Sequence, residues 1–402
     1  MIKGLKHVAR SFNGMLVPIA KYTITNTLNE DQPKIMTGSD YGKQASLNDL
    51  QTDVYQTMPA IENVFAVYDD KIITAYQKYD NFNVECYGKT REDAKAWMDN
   101  FESNMIKKNQ YRGKCLYAEN NNIEFKDIPQ VSWDDVVLAE KVKKDIHLNT
   151  VEFLGDVKYA SAGIMKRGLI LYGPPGTGKT SVVKSIFKEL EGKNVSRIYV
   201  TAESFRYMPM GNLFQFLSYL GSSVLAFEDI DMVSGNRDIH TASNMLGDLL
   251  TNLDGMRRQQ DPLVVIASTN KIEMMDSALA NRPCRFDRKV ELGLPGPEHL
   301  KIMYSKHMGQ EVSDEVIRLS QSFTGSHVVE TVNTAKILAT SESKKPIECL
   351  KDACNIIREN FFPGQNLISV QAAIQRFLVK KGFKKSATKD VESIVSDILK
   401  GL

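Results

Sequence analysis

The sequence lacks any long apolar segment. Of its 402 residues, 42% are hydrophobic, yet no run approaches the roughly 18–20 consecutive apolar residues of a membrane-spanning helix. It also lacks a strong charge bias, because 51 lysines and arginines are balanced by 49 aspartates and glutamates. These absences predict a soluble globular protein whose bulk charge selects no particular partner.

Cysteine is scarce, and its spacing excludes two classes of protein. The five cysteines are an odd number and include no C-x-x-C pair. The pattern therefore indicates neither a zinc site nor a disulfide framework. It favours a reducing compartment, and we expect a cytoplasmic protein.

Acidic residues are missing from residues 1–29, which carry Lys3, Lys6, Arg10 and Lys21. Apolar residues recur there near helical spacing, at Leu5, Val8, Phe12, Leu16 and Ile19. We predict a basic amphipathic helix packed on its own domain. A membrane-surface helix or a transit-peptide-like segment is the alternative.

The patterns divide the chain into four regions. Residues 1–125 carry alternating strands and a helix capped by Thr90, and predict a small α+β domain that engages a substrate or partner. Residues 126–297 alternate short apolar strands with helices, as in a parallel sheet covered on both faces. Residues 298–363 predict a small helical domain, and residues 364–402 a basic helical extension.

The strongest motif is "GLILYGPPGTGKTS", which satisfies G-x-x-x-x-G-K-[ST] between a strand and a helix. Its glycines let backbone N–H groups close around phosphate oxygens. Lys179 is expected to reach the β- and γ-phosphates, and Thr180 to bind Mg²⁺. The predicted nucleotide-binding residues of this loop are Gly173, Pro174, Pro175, Gly176, Thr177, Gly178, Lys179, Thr180 and Ser181.

Two acids follow the apolar strand in "SSVLAFED". By position, Glu228 is the metal-side acid and Asp229 the acid that activates the attacking water. Asp231 is expected to help hold this loop. The next strand, "LVVIASTN", ends at Asn270, whose amide can hydrogen-bond the γ-phosphate or the water.

Arginines follow in "NRPCRFDRK". A planar guanidinium binds phosphate oxygens in a fork and offsets the charge that develops in phosphoryl transfer. Arg285 and Arg288 are therefore candidate arginine fingers. The alternative is a set of surface arginines paired with nearby aspartates.

The order of these motifs resembles the AAA ATPases over roughly residues 130–340. The resemblance implies a P-loop NTPase parallel sheet with helices on both faces (AAA+), a small helical lid and an α+β N-terminal domain. It also implies ATP and Mg²⁺ as cofactors, and a homo-oligomeric ring of six or seven subunits. In such a ring, Arg285 and Arg288 reach the neighbouring subunit's ATP.

By position, the resemblance places Asp135 and Val136 against the adenine. It places Gly325 where other AAA+ groups carry a sensing arginine. Most AAA proteins have Asp-Glu where this chain has Glu228-Asp229, and the mitochondrial Rieske-protein translocase (BCS-type) chaperones resemble this chain in that order. Those chaperones have a transmembrane helix near the N-terminus, so a soluble relative is expected here.

The loop "FRYMPMGN" lies where AAA unfoldases grip polypeptide. Tyr207, Met208, Met210 and Gly211 are the candidate substrate pore loop, although Pro209 departs from the usual pattern. The alternative is a loop that faces the core.

Three functions remain open on the sequence. The first is a Mg²⁺-dependent ATPase ring that remodels or translocates a protein client. The second is an ATP-driven nucleic-acid machine, such as a loader or packaging accessory, which uses the basic C-terminal extension. The third is a slow nucleotide-gated scaffold.

Overall fold

A computed structural model describes residues 5–13, 15–31, 34–37, 63–78, 81–119, 122–156, 159, 161–233, 247–249, 251–253, 261–273 and 286–362. The chain divides into two compact units, residues 1–293 and residues 294–402. The predicted basic extension, residues 364–402, lies outside the described residues.

An antiparallel sheet of five strands opens the first unit. Its strands are β1 (Lys6–Asn13), β2 (Lys34–Thr37), β3 (Asn63–Val67), β4 (Lys71–Lys78) and β5 (Asn81–Gly88), in the order β1-β5-β4-β3-β2. Strands β3 and β4 pair as neighbours, and β5 pairs with the other side of β4. The edge strand β1 pairs with β5 along its whole length.

The helix predicted near the N-terminus is wrong for residues 6–13, which form β1. Val8 and Phe12 are four positions apart, a spacing that fits one face of a helix and also one face of a strand. Pairing with β5 decides between the two, because it places Val8 opposite Cys86 and Phe12 opposite Phe82. The helix begins only at Leu16.

Helices α1 (Leu16–Asp31) and α2 (Arg91–Lys107) pack against this sheet. Thr90 caps α2 as predicted: its hydroxyl accepts a hydrogen bond from Asp93 N at 3.1 Å, and Asp93 Oδ2 accepts one from Thr90 N at 3.1 Å. The apolar face of α2 is fully buried, including Met98 and Phe101. This α+β arrangement agrees with the sequence pattern.

The second sheet has seven strands in the order β12-β8-β11-β10-β9-β6-β7. All neighbours pair in parallel except β6 and β7. The strands are β6 (Cys115–Glu119), β7 (Asn122–Phe125), β8 (Lys166–Tyr172), β9 (Ser196–Val200), β10 (Ser223–Phe227), β11 (Leu263–Thr269) and β12 (Arg288–Glu291). Every residue of β9, β10 and β11 is buried, as expected for strands of a parallel sheet covered on both faces.

The predicted N-terminal domain, residues 1–125, does not coincide with the sheets. Residues 115–125 form β6 and β7, and β6 pairs in parallel with β9 of the second sheet. This pairing joins segments about 80 residues apart, which no local pattern reports.

Helices cover both faces of this sheet, as predicted. Adjacent residues of β10 show this, because Leu225 and Ala226 are fully buried in different hydrophobic clusters. The helical segments are α3 (Glu140–His147), a π-helical turn (Leu148–Glu152), α4 (Phe153–Gly155), α5 (Lys179–Glu189), α6 (Ala202–Tyr207), α7 (Met210–Leu217) and a 3₁₀ turn (Ile230–Val233).

The described part of the second unit is helical around its own core. Its helices are α8 (Pro297–Met308), α9 (Asp314–Leu319), α10 (Gly325–Glu342) and α11 (Leu350–Phe361). The sequence pattern predicted helices in this region. Tyr304, fully buried, links α8 to the end of α9 through a 2.6 Å hydrogen bond with Ser320 Oγ. None of the described helices, in either unit, combines the length and apolar composition of a membrane span.

Candidate functional site

The residues predicted to bind phosphate and metal and to activate water meet at the carboxyl end of the second sheet. Strands β8, β11 and β10 are neighbours, and their carboxyl ends lead to Gly173, Asn270 and Glu228. In open α/β sheets, ligands bind at this edge.

The loop after β8 has the backbone of a phosphate-binding loop. Gly173, Gly176 and Gly178 have φ angles of 147°, 80° and 99°. A Cβ on Gly173 would lie 2.1 Å from the carbonyl oxygen of Leu292, so only glycine fits there. Gly178 precedes α5 and provides no side-chain cap. The first N–H groups of α5 therefore remain for an anion, which the helix dipole also favours.

The residues between these glycines differ in exposure. Pro174 and Pro175 are exposed, whereas Thr177 is buried and its hydroxyl donates to Pro174 O at 2.9 Å. Ser181 follows in the first turn of α5 and is partly buried.

Lys179 lies at the centre of the site. Its ammonium group donates to Gly173 O at 2.7 Å, Pro174 O at 3.0 Å and Asn270 Oδ1 at 2.7 Å. Burial lowers the pKa of Lys179, while the nearby acids Asp229, Asp231 and Glu228 raise it. These three partners are neutral oxygens, so phosphate oxygens would be stronger acceptors for the same donors.

Thr180 and Glu228, the predicted metal pair, are in contact. The Thr180 hydroxyl donates to Glu228 Oε2 at 3.0 Å, and Glu228 Oε1 is buried without a hydrogen-bond partner. Burial raises the pKa of Glu228, whereas the neighbouring Tyr199 and Thr180 hydroxyls lower it. A hydroxyl and a carboxylate oxygen without a partner beside the P-loop fit the few protein ligands that Mg²⁺ uses.

Asp229 leaves the strand with a left-handed backbone, φ 47°, and its N–H donates to Ser268 Oγ at 3.0 Å. Burial and the nearby Asp231 raise the pKa of Asp229, while Lys179 and Asn270 lower it. As predicted, Asp231 holds the loop: its carboxylate accepts from Asn270 N at 2.9 Å and from Asn270 Nδ2 at 3.3 Å.

Arg288, a predicted arginine finger, lies on the edge strand β12. Its guanidinium is half-exposed and forms an ion pair with Asp145 at the end of α3. Within the single chain Arg288 is thus paired with its own subunit, and its role as a finger stays a prediction. Arg285 lies outside the described residues.

The residues predicted to contact the adenine or to sense the nucleotide lie on other elements than the phosphate-binding loop. Asp135 is exposed in a turn, where its carboxylate accepts from Ser132 N at 3.3 Å. Val136 is buried in the cluster that also contains Val182 of α5. Gly325 begins α10 in the second unit. The adenine and sensing positions therefore stay predictions.

The predicted substrate loop is only partly available for a client. Tyr207 is 64% exposed at the end of α6, whereas Met208 and Met210 are 6% and 5% exposed and belong to the hydrophobic core. The burial of these two methionines in the core does not fit a gripping role, and the substrate loop stays a prediction. Gly211 follows within α7.

Three residues near the site were not predicted from the sequence. Ser268 Oγ accepts a hydrogen bond from Asp229 N, and Asp145 forms an ion pair with Arg288. Tyr199 of β9 pairs in register with Ala226, two residues before Glu228. A tyrosine or serine inside a buried apolar strand is the available signal, since its hydroxyl needs a partner.

Comparison with known proteins agrees with this geometry. Residues 169–294 match the family described as ATPase family associated with various cellular activities (AAA). The chain is 31% identical over 243 residues to the ATP-dependent zinc metalloprotease FtsH 2 of Thermoanaerobacter sp. (strain X514), covering 56% of this chain and 45% of the relative. It is 28% identical over 290 residues to the peroxisomal ATPase PEX6 of Saccharomyces cerevisiae, covering 67% and 26%.

The chain thus contains an AAA ATPase domain, for which ATP hydrolysis is the expected activity and ATP with Mg²⁺ the expected ligands. It spans less than half the length of both relatives. These matches confirm the AAA domain predicted from the motifs, while the BCS-type subfamily stays a prediction.

Proposed function

We propose that this chain is the subunit of a homo-oligomeric ring that couples Mg²⁺-dependent ATP hydrolysis to the remodelling or translocation of a protein client. The main support is the convergence of Lys179, Thr180, Glu228 and Asn270 at the end of the sheet. The names of the relatives, a metalloprotease and a peroxisomal ATPase, favour work on proteins. The Glu-Asp order favours a relative of the BCS-type chaperones.

Each group has a role in this proposal. The loop N–H groups and Lys179 bind the phosphates, and Asn270 orients the attacking water, whose proton Asp229 accepts. Thr180 and Glu228 would hold Mg²⁺, which offsets the negative charge of the phosphates.

Arg288 and Arg285 supply the remaining positive charge from the neighbouring subunit. The ion pair between Arg288 and Asp145 is half-exposed, and such pairs contribute only about 0–1 kcal/mol. A neighbour's phosphate can therefore compete for Arg288 when a ring closes through head-to-tail interfaces.

Mixed rings test this proposal. Arg288→Ala subunits and Asp229→Asn subunits are each expected to hydrolyse ATP poorly alone. Arg288→Ala subunits keep Asp229, and Asp229→Asn subunits keep Arg288. In an equal mixture, an intact arginine therefore faces an intact acid at about a quarter of the interfaces. Phosphate release should therefore recover to about a quarter of the wild-type rate.

The matched control replaces Arg91, the exposed first residue of α2, by alanine, and should leave the rate unchanged. If mixed rings regain no activity, the arginine does not act between subunits. Stimulation by DNA in place of protein would favour the nucleic-acid machine.

Tyr207→Ala tests whether the candidate substrate loop acts on a protein client. Because Tyr207 presents a large exposed side chain in this loop, we expect basal ATP hydrolysis to persist and stimulation by casein, an unfolded model client, to fall. Tyr207→Phe retains the ring and should retain stimulation. Equal loss of both activities in the alanine variant would contradict the assignment.

A further inference from the structure

Asp229 follows β10 with a backbone conformation that is unfavourable for most residues. Its φ of 47° lies in the left-handed region, where Cβ approaches the following carbonyl oxygen. Such a conformation persists where the surrounding contacts hold it in place, and it recurs at active sites. The hydrogen bonds around Asp229 therefore show what fixes the direction of this acid.

The two N–H groups that follow β10 donate to opposite neighbours in the sheet. Glu228 N donates to Val200 O of β9 at 3.1 Å and so continues the ladder on that side. Asp229 N donates at 3.0 Å to the hydroxyl of Ser268 in β11. On the β11 side the acceptor is thus a side-chain oxygen, which depends on the residue type at position 268.

Ser268 lies in a closely packed part of the sheet. It is 1% exposed, and every residue of β11 is buried. Two residues further along the chain, Asn270 N and Nδ2 donate to the carboxylate of Asp231 at 2.9 Å and 3.3 Å. The loop that carries the acids is therefore joined to the end of β11 on both sides of Ile230, through Asp229 N and through Asp231.

We propose that Ser268 is a positioning residue, which fixes the backbone of Asp229 so that its carboxylate is directed toward the attacking water. The proposal rests on the proposed function, because it takes Asp229 as the acid that accepts the proton of this water. Aspartate has one methylene fewer than glutamate, so the position of its carboxylate depends more closely on the backbone. A small displacement of a catalytic group lowers the rate without weakening the binding of the nucleotide.

The kinetics of ATP hydrolysis by the full chain test this proposal. Ser268→Ala removes the acceptor of the Asp229 N–H group. We expect kcat to fall about tenfold, near the upper limit for the loss of one hydrogen bond. KM for ATP should remain within about twofold, because no contact with the nucleotide is removed. Ser268→Thr keeps a hydroxyl and should retain most of kcat, whereas Ser268→Val, which has nearly the same shape as threonine, should not.

Ser196→Ala is the matched control. Ser196 is also a fully buried serine of a parallel strand, and its hydroxyl accepts from Gly113 N at 2.9 Å. It begins β9, at the end of the sheet opposite the site. Its loss removes the same kind of hydrogen bond, but kcat should not change. Equal affinity of the variants for a non-hydrolysable ATP analogue, with Mn²⁺ in place of Mg²⁺, shows that they are folded.

An Asp229→Asn background separates the possible failures. In this background Ser268→Ala should lower the residual rate no further, because Ser268 acts through Asp229. If Asp229→Asn lowers kcat and Ser268→Ala does not, or if Ser268→Ala causes the same loss in both backgrounds, the positioning role is overturned and the proposed function stands. If Asp229→Asn retains kcat, the assignment of Asp229 in the proposed function is wrong, and the role of Ser268 is overturned with it. Should Ser268→Ala fail to bind the analogue, the comparison of Ser268→Thr with Ser268→Val decides in its place.

Discussion

Replacing Lys179 with alanine should lower ATP hydrolysis at least about a hundredfold, the usual cost of removing a donor that stabilises the charge of a transition state. Lys179 is 5% exposed and donates two hydrogen bonds within the loop and a third to Asn270 after β11. It is the ammonium group at the point where β8, β11 and α5 meet. Its removal takes the charged donor out of the phosphate-binding loop and leaves the backbone N–H groups of that loop.

Phosphate release and the binding of a fluorescent ATP analogue would measure this effect. Lys188→Ala is the matched control, because Lys188 lies on the same helix α5 but is exposed near its other end. Hydrolysis should be normal in the control. Retained turnover in the Lys179 variant would refute the nucleotide site as described.

The sequence predicted this site well because each motif is local. The P-loop requires glycines at fixed positions, and left-handed backbone at Gly178 just before α5 is a direct consequence. The acids and Asn270 each follow a buried strand, so their convergence needs only that the strands be parallel neighbours. The caps at Thr90 and Thr324 are likewise short-range signals.

Features that depend on distant pairing could not be predicted. Residues 6–13 form a strand because β5 is available beside them, and residues 115–125 extend the second sheet because β6 pairs with the side of β9 that β10 leaves open. The ion pair between Arg288 and Asp145 joins residues 143 positions apart. Met208 was predicted to grip a client from its residue type and its place in the loop. It is buried in the core, which residue type alone could not predict.

Asp229→Asn should block hydrolysis and preserve nucleotide binding. Loss of a general base costs about 10²–10⁴ in rate, whereas Asp229 acts on the phosphate-binding loop through its charge near Lys179. Asparagine suits this position for a backbone reason as well. The residue has φ 47°, a conformation that asparagine tolerates and most residues do not.

Comparing Asp229→Asn with Glu228→Gln shows which acid holds the metal and which activates the attacking water. Asp229→Asn should bind the ATP analogue and Mn²⁺ like wild type, whereas Glu228→Gln should bind Mn²⁺ more weakly. If Asp229→Asn hydrolyses ATP normally while Glu228→Gln binds metal normally and cannot hydrolyse, the roles are reversed. In that event Asp229 would be the metal-side acid and Glu228 the acid that activates water, the opposite of the assignment made from their positions after β10.

Because Asp229→Asn is expected to hold ATP without cleaving it, it should also retain a client that wild type releases. Purification of the tagged variant with ATP, and in parallel with ADP, identifies proteins held only in the ATP state. Arg288→Ala provides a second stalled variant with intact acids, so a genuine client should be found with both. Equal recovery of a protein with ATP and with ADP would show that its association does not depend on the nucleotide, against a client of the ATP-driven cycle.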